Sequence, residues 1–369
     1  MNQSRRSFIR QSALASTVFG AFTISGTKSS GKVIGANERV NVAVCGIKSR
    51  GAAHIGGHGR QKNVTISHLV DPDSSLYDGR KKFISSKFKN SPDCVQDVRK
   101  VLDNKDVDVI SIATPNHWHS LMSIWACQAG KDVYVEKPLS HNIFEGKQLV
   151  EAAKKYGRIV QHGTQNRSIQ KWADQAKDIA AGKHGKLEVA LGTCHKRRGS
   201  IGFKNTEKPP AALDFDLWTG PAQKEDFHKN LVHYNWHWFW KYGNGDIGNQ
   251  GVHQMDIARW MIPGARWPKS VVSVGGRFGY EDQGETANTQ LTIFDYGESL
   301  LVFDVRGLSG KSNMGVSNKV YFDKNASQKT SKSYDMKGVK NPLADRSKGD
   351  NFENFIHAVR SRKTEDLNA

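Results

Sequence analysis

Val40-Asn41-Val42-Ala43-Val44-Cys45-Gly46-Ile47-Lys48-Ser49-Arg50-Gly51 is the stretch on which the fold turns. Its first six residues, Val-rich and nearly free of polar groups, suit a strand buried in a parallel sheet. Gly46 ends the run, and Gly51 lies where a helix opens, as in the turn that cradles the pyrophosphate of a dinucleotide. Lys48 stands where that fingerprint has its middle glycine, so its side chain either obstructs the pyrophosphate or swings out to pair with it. A second apolar run, Val64–Val70, ends in Asp71-Pro72. An acid there can accept both ribose hydroxyls, a charge-assisted contact worth about 1.5–3 kcal/mol. The same carboxylate repels a 2′-phosphate, so NAD is expected over NADP. A tight strand-to-helix turn with no ligand is the alternative.

Outward from this stretch, short β-branched runs alternate with helical ones. Strands are expected over 107–113, 132–135 and 159–161, with a helix over 143–156, which predicts an α/β domain with a parallel sheet covered on both faces. Thr114-Pro115-Asn116 and Glu136-Lys137-Pro138 follow two of these strands, at the carboxyl ends where open α/β sheets bind ligands. Past residue 163 the rhythm changes. A helix over 169–181 leads to strands over 187–196, 271–278, 287–295 and 299–306, spaced like hairpins. These predict an α+β domain with a mainly antiparallel sheet. The expected organisation is a leader over 1–38, a Rossmann dinucleotide-binding domain over 39–163 and a second domain over 164–369. A long irregular segment over 198–234 has the length of a functional loop. Residues 311–340 carry no clear pattern, and 352–360 has the spacing of a closing amphipathic helix.

The chain has 369 residues, 37% of them hydrophobic, including nine Trp and sixteen Phe, enough for two cores. Its formal net charge is +18. The lysines are scattered, as at Lys81, Lys82, Lys324 and Lys329, and no basic helix is interleaved with aromatics. Nucleic acid is therefore not an expected partner; solvated surface charge is the main expectation, and an acidic partner the lesser one. Cys45, Cys94, Cys127 and Cys194 form no C-x-x-C pair, so no metal site is expected. Ser4-Arg5-Arg6-Ser7-Phe8-Ile9-Arg10 precedes an apolar stretch over 13–24 that is too short and too rich in Ser, Thr and Gly to span a bilayer. It resembles a twin-arginine export signal, which implies a periplasmic or secreted protein carried across the membrane folded. No Cys follows it, so no membrane anchor is expected. An ordinary basic first helix is the alternative.

Thr114-Pro115-Asn116-His117-Trp118-His119, Glu136-Lys137-Pro138 and Gly251-Val252-His253-Gln254-Met255-Asp256 resemble three successive signatures of the Gfo/Idh/MocA oxidoreductases. Leu217-Trp218-Thr219-Gly220-Pro221 and Asn235-Trp236-His237-Trp238-Phe239-Trp240 are similar to that family's exported bacterial branch. The resemblance implies a sugar or polyol substrate and a second domain whose sheet often mediates homo-oligomers. It also implies that the chain stops short of the family's usual end. Carried over by position, Lys137 contacts the substrate hydroxyl or the nicotinamide ribose, and His253 is the acid/base. Glu136 and Pro138 shape their turn, while Asn116 and His119 line the cofactor beside Thr114 and Pro115.

Chemistry agrees with these roles. Oxidising an alcohol removes a hydride from carbon and a proton from oxygen, so a base must touch the hydroxyl. Imidazole titrates near neutrality, and an ammonium stabilises a developing alkoxide. Asp256, three residues after His253, is placed to orient the imidazole if 250–260 is helical. Asn249 departs from the family, which often has Asp there; it can hold a sugar hydroxyl but cannot take its proton. Trp238, in an aromatic run over 233–242, suits either stacking on a sugar or burial. A metal trio of His233, His237 and His253 is the weakest alternative. Two further functions stay open: a redox-neutral glycosidase that keeps its NAD, and a sugar-binding protein without catalysis.

Overall fold

The computed structural model describes residues 39–308, 315–323, 333–335 and 349–368. The export signal lies outside the described residues. In the first domain the elements run β1 (Val40–Cys45), α1 (Ser49–Gly59), β2 (Val64–Val70), α2 (Tyr77–Phe88), β3 (Asp93–Val95), α3 (Arg99–Leu102), β4 (Val109–Ile112), α4 (Asn116–Gln128), β5 (Asp132–Val135), α5 (Ile143–Tyr156) and β6 (Val160–His162). The sheet is wholly parallel, in the order β3-β2-β1-β4-β5-β6. The order in which strands are added reverses between β1 and β4, which opens a crevice above their carboxyl ends. Both β4 and β5 are buried throughout, which is why their sequences are apolar without alternation.

The second domain comprises α6 (Gln170–Ala180), β7 (Leu187–His195), α7 (Phe215–Thr219), α8 (Gly245–Gly248), α9 (Gly251–Met261), β8 (Ser270–Gly276), β9 (Thr289–Asp295), β10 (Leu300–Arg306), β11 (Gly315–Phe322) and β12 (Ser333–Asp335). Its sheet has the order β12-β11-β7-β10-β9-β8. Every pairing is antiparallel except β7 with β10, so the sheet is mixed. The exception follows from the long crossover between β7 and β8, which is no hairpin. β11 falls in the stretch with no readable pattern, because its Asn318 is buried and satisfied by the Gln254 carbonyl at 2.7 Å. Trp172 and Ile179 of α6 and Ile257 and Met261 of α9 cover one face, against Leu301 and Phe303. Among the described residues nothing covers the other face: Val272, Val274, Leu291 and Leu300 are 63%, 65%, 40% and 37% exposed.

Two features cross the expected boundary at residue 164. Helix α10 (Asn351–Ser361) lays Phe352, Phe355, Ile356 and Val359 into the first domain's core, beside Ile55 and Tyr134. Asp350 caps it and pairs with Arg60 at 2.6 Å. By packing, this helix belongs to the Rossmann sheet. The irregular segment after β7 has its own aromatic core, built around Phe215, Trp218, Phe227 and Tyr242. It clasps the turn after β2: Ser74 N–H donates to the Ala212 carbonyl and Asp214 N–H to that of Pro72, both at 2.9 Å. His233 Nε2 lies 2.8 Å from Asp73 Oδ2.

Candidate active site

The β1 turn is built for close approach. Gly46 has φ +76°, and a Cβ there would lie 2.7 Å from the Ala113 carbonyl. A Cβ on Gly51 would sit 1.8 Å from the Gly46 carbonyl oxygen, so neither position admits a side chain. Lys48, between them, is exposed and lines the cleft. No side chain caps α1 and no acid lies in its first turn, which leaves its N–H groups and dipole aimed at the cleft, an anion site. Asp71 orders the turn by accepting from Ile47 N–H at 2.8 Å and Asp73 N–H at 3.0 Å. Burial raises its pKa to about 6 against those two bonds. Each carboxylate oxygen keeps a lone pair for a ribose hydroxyl. Thr114 Oγ1 is buried beside the crevice with no partner among the described residues, a polar atom waiting for a ligand. Leu217 and Trp218 of the second domain close the far end of the crevice. These residues fit NAD: α1 would hold the pyrophosphate and Asp71 the ribose.

Beneath the cleft, Glu136 is 3% exposed and gathers four partners. Arg50 Nε reaches its Oε1 at 2.6 Å, Gln165 Nε2 at 2.9 Å and His54 Nε2 at 3.1 Å; Lys137 N–H donates to Oε2 at 3.2 Å. Burial pushes the carboxyl up, but Arg50 and then His54 outweigh it and hold the pKa well below the usual range. His54 in turn meets Ser111 Oγ at 2.9 Å, which His58 meets at the same distance. Glu136 is thereby fixed as the anchor of the turn that presents Lys137. His119 ties the two motifs together, its ring nitrogens 2.6 Å from the Pro138 carbonyl and 2.8 Å from that of Thr114. Asn116 lines the cleft and donates to Asn244 Oδ1 at 2.9 Å, across the domain boundary.

Lys137 projects from the end of β5 into a cleft of about 970 Å³, counting its open mouth. Its Nζ donates to the backbone oxygen of Asn249 at 2.9 Å and to Oδ1 at 3.0 Å. Burial lowers its pKa; Glu136 opposes this, and Arg50, Lys196 and Arg198 add to it. Asn249 thus serves as tether for the ammonium and wall of the cleft.

The expectations for Trp238 and Asp256 need correction. Trp238 is 5% exposed and does not line the cleft; the Arg198 guanidinium lies 5.1 Å over its ring. The aromatic wall comes instead from Tyr234, Trp236 and His237, because 235–238 forms a short helical turn rather than a strand, which carries Trp238 away from the cleft. His253 lies within electrostatic reach of Lys137; burial and then Lys137 push its pKa down to about 4. Asp256 is not its partner, being held by Arg167 at 2.7 and 2.8 Å. No group of three or more metal-ligating side chains occurs among the described residues. Sequence reasoning missed Gln165, His54, Lys196 and Arg198. Arg50, His54 and His58 do share one helical face by their spacing, a visible signal of a polar stripe on α1.

Comparison with known proteins bears on both domains. Residues 40–164 match the oxidoreductase family's NAD-binding Rossmann fold, and 198–369 match its C-terminal alpha/beta domain. Levoglucosan dehydrogenase of Pseudarthrobacter phenanthrenivorans is 28% identical over 175 residues, 47% of this chain and 37% of its own length. The scyllo-inositol 2-dehydrogenase (NAD(+)) of Bacillus subtilis is 37% identical over 91 residues, 25% of this chain and 27% of its own. A glycosyl hydrolase family 109 protein of Shewanella pealeana is 28% identical over 129 residues, 34% of this chain and 28% of its own. The chain thus spans roughly a third of the length of the curated relatives it matches. In fold, it resembles the WlbA dehydrogenase of Chromobacterium violaceum, solved with NADH and UDP-GlcNAcA (TM-score 0.64, 17% identity, 89% of this chain and 88% of that one). It also resembles levoglucosan dehydrogenase solved with NADH and L-sorbose (TM-score 0.59, 18% identity, 77% and 71%). With both of its domains matched and its strand-end motifs gathered at one cleft, the chain belongs to the Gfo/Idh/MocA oxidoreductase family, and its first domain is of the NAD-binding Rossmann type.

Proposed function

We propose that the protein is an NAD-dependent oxidoreductase acting on a sugar or polyol. The observation that carries this is the half-buried Lys137 ammonium, tethered by Asn249 at the mouth of a dinucleotide crevice. NAD, when bound, supplies the hydride acceptor. Lys137 donates a hydrogen bond to the reacting oxygen and stabilises the alkoxide that forms. Its lowered pKa lets the neutral amine take the hydroxyl proton at lower pH than a solvated lysine would. His253, neutral at ordinary pH, lends no competing charge. Tyr234 and Trp236 give the sugar an aromatic wall. The dehydrogenase names of two relatives support this assignment.

The redox-neutral glycosidase is the second possibility, favoured by the clasp of the 212–233 segment over the turn after β2, which would slow release of the cofactor. The glycosyl hydrolase family 109 relatives support it. We further propose that the chain is exported folded by its twin-arginine signal, and that the open sheet face of Val272, Val274, Leu291 and Leu300 joins a second copy. No helix among the described residues is long and apolar enough to cross a membrane.

The test is to denature the purified protein and assay for released NAD, then offer sugars, polyols and p-nitrophenyl glycosides. Nicotinamide reduction with a sugar or polyol supports the dehydrogenase. Nitrophenol release without added NAD supports the glycosidase. Sugar binding without either reaction would overturn both.

A further inference from the structure

The substrate end of the cleft carries more positive charge than its own acids neutralise. Lys137 Nζ rests on Asn249, which lines the cleft, and Lys196 Nζ, just outside the lining, rests on the next residue along, reaching Gln250 Oε1 at 2.5 Å. Both ammoniums are therefore satisfied by amide oxygens, which accept hydrogen bonds but cancel no charge. Among the described residues neither has a carboxylate partner. The two acids within reach are already engaged. Asp246, 1% exposed, is gripped by Arg198 at 2.6 and 3.0 Å. Glu136 is gripped by Arg50 at 2.6 Å. Arg198 lies over Trp238, directly behind the cleft-lining His237.

The surroundings register the excess. Burial comes first in lowering the Lys137 pKa; Glu136 opposes it, and Arg50, then Lys196 and Arg198, add to it. His237 is pushed down to about 3 by burial, with Lys137 and Arg198 adding to the effect. A dinucleotide does not relieve this end, because its phosphates belong at the N-terminus of α1 and its oxidised nicotinamide ring is itself cationic. Unpaired charge in a partly buried cleft is costly, and a ligand of opposite sign removes that cost. The chain as a whole, at +18, attracts the same kind of ligand.

Resting on the proposed sugar oxidoreductase, we propose that its substrate is an anionic sugar, a uronic acid or its glycoside, whose carboxylate takes the Lys196 ammonium from Gln250. Lys137 is then left to the reacting hydroxyl. Lys196 is a binding residue in this scheme and takes no part in proton transfer. A carboxylate accepts a charge-assisted hydrogen bond where Gln250 accepts a weaker one, so the exchange is downhill. A sugar phosphate shares the chemistry and is separated from the carboxylate by the test.

The experiment uses the full chain loaded with NAD, with binding read by calorimetry and by quenching of tryptophan fluorescence, Trp236 being on the cleft wall. The probes are glucose, galactose and mannose, each beside its uronate and its 6-phosphate. We expect at least one uronate to bind about 10-fold or more tighter than its neutral parent, an advantage that shrinks with added salt. Lys196→Met should bring that uronate to the level of the neutral sugar, and Lys196→Arg should restore it. Retained NAD and circular dichroism check that both variants are folded. Neutral sugars binding as tightly as their uronates would overturn the inference and leave the sugar reading standing. A 6-phosphate preferred over the uronate would overturn the carboxylate assignment. If no sugar of any class binds, the sugar reading fails first and this inference with it.

Discussion

The two sheets differ in how much of themselves they hide. The Rossmann sheet is covered on both faces, by α1 and α10 on one side and by α4 and α5 on the other. Among the described residues the C-terminal sheet is covered on one face, by α6 and α9, and shows valines and leucines on the other. The closed sheet can place side chains only at its ends, and there it puts Gly46, Asp71, Thr114, Glu136 and Lys137. The open sheet contributes little chemistry from its strands; Asn249 and the aromatic wall come from the crossover between β7 and β8. Full burial makes a sheet a rigid frame for a site, whereas half burial leaves it a surface for association.

That contrast can be broken in several ways. Gly51→Leu should have the largest effect, since even a Cβ meets the Gly46 carbonyl at 1.8 Å; no retained NAD should be found after denaturation of whatever folds. Lys137→Met leaves the frame intact but removes its working group, and turnover should fall by roughly 10²–10⁴ with retained NAD unchanged. Phe355→Ala opens a cavity in the closed sheet's core and should cost about 3–5 kcal/mol in urea unfolding. Acid should weaken both domains. His117, His162 and His253 are held down to about 3, about 4 and about 4 by burial, so unfolding lets them bind protons below their free value of 6.5. Their contribution is complete above that pH and is lost as the pH falls toward 4. Asp71, raised to about 6, works oppositely, favouring the fold as it takes a proton. Three imidazoles against one carboxylate leave a net loss, on the order of 1.4 kcal/mol per pH unit for each uncompensated proton. Melting temperature measured from pH 7 to pH 4 should fall accordingly. Val272→Lys on the open face should change folding stability least, within about 0.5 kcal/mol. It should instead weaken the proposed pairing with a second copy, read as a shift toward monomer in sedimentation.

The same contrast explains what could be read in the sequence. The closed sheet's strands are uninterrupted apolar runs, and their ends carry motifs, so β1, β2 and β5 and the residues after them were legible. β11 was not, because a buried asparagine paired with a backbone carbonyl looks like a surface residue in a string of letters. The destination of α10 was hidden for a different reason: an amphipathic stripe says that a helix is covered, not what covers it. Alternating tryptophans fitted stacking or burial equally well, and the turn at 235–238 settled Trp238 as buried. Asp256 was at the right spacing for His253, but Arg167, from a distant part of the chain, offers a bidentate grip that an imidazole cannot match. Lys196 and Arg198 went unnoticed because charge convergence is a property of the folded crossover.

Helix α10 also sets an order of events during synthesis. The N-terminal core lacks Phe352, Phe355, Ile356 and Val359 until α10 leaves the ribosome, about 190 residues after β6 and behind the strands of the second sheet. At roughly 5–20 residues per second, the half-built Rossmann sheet must wait on the order of ten seconds or more with an apolar groove exposed. Completion of the cofactor-binding domain therefore waits on synthesis of the second domain's strands, and nascent chains released before α10 would present that groove to chaperones and proteases.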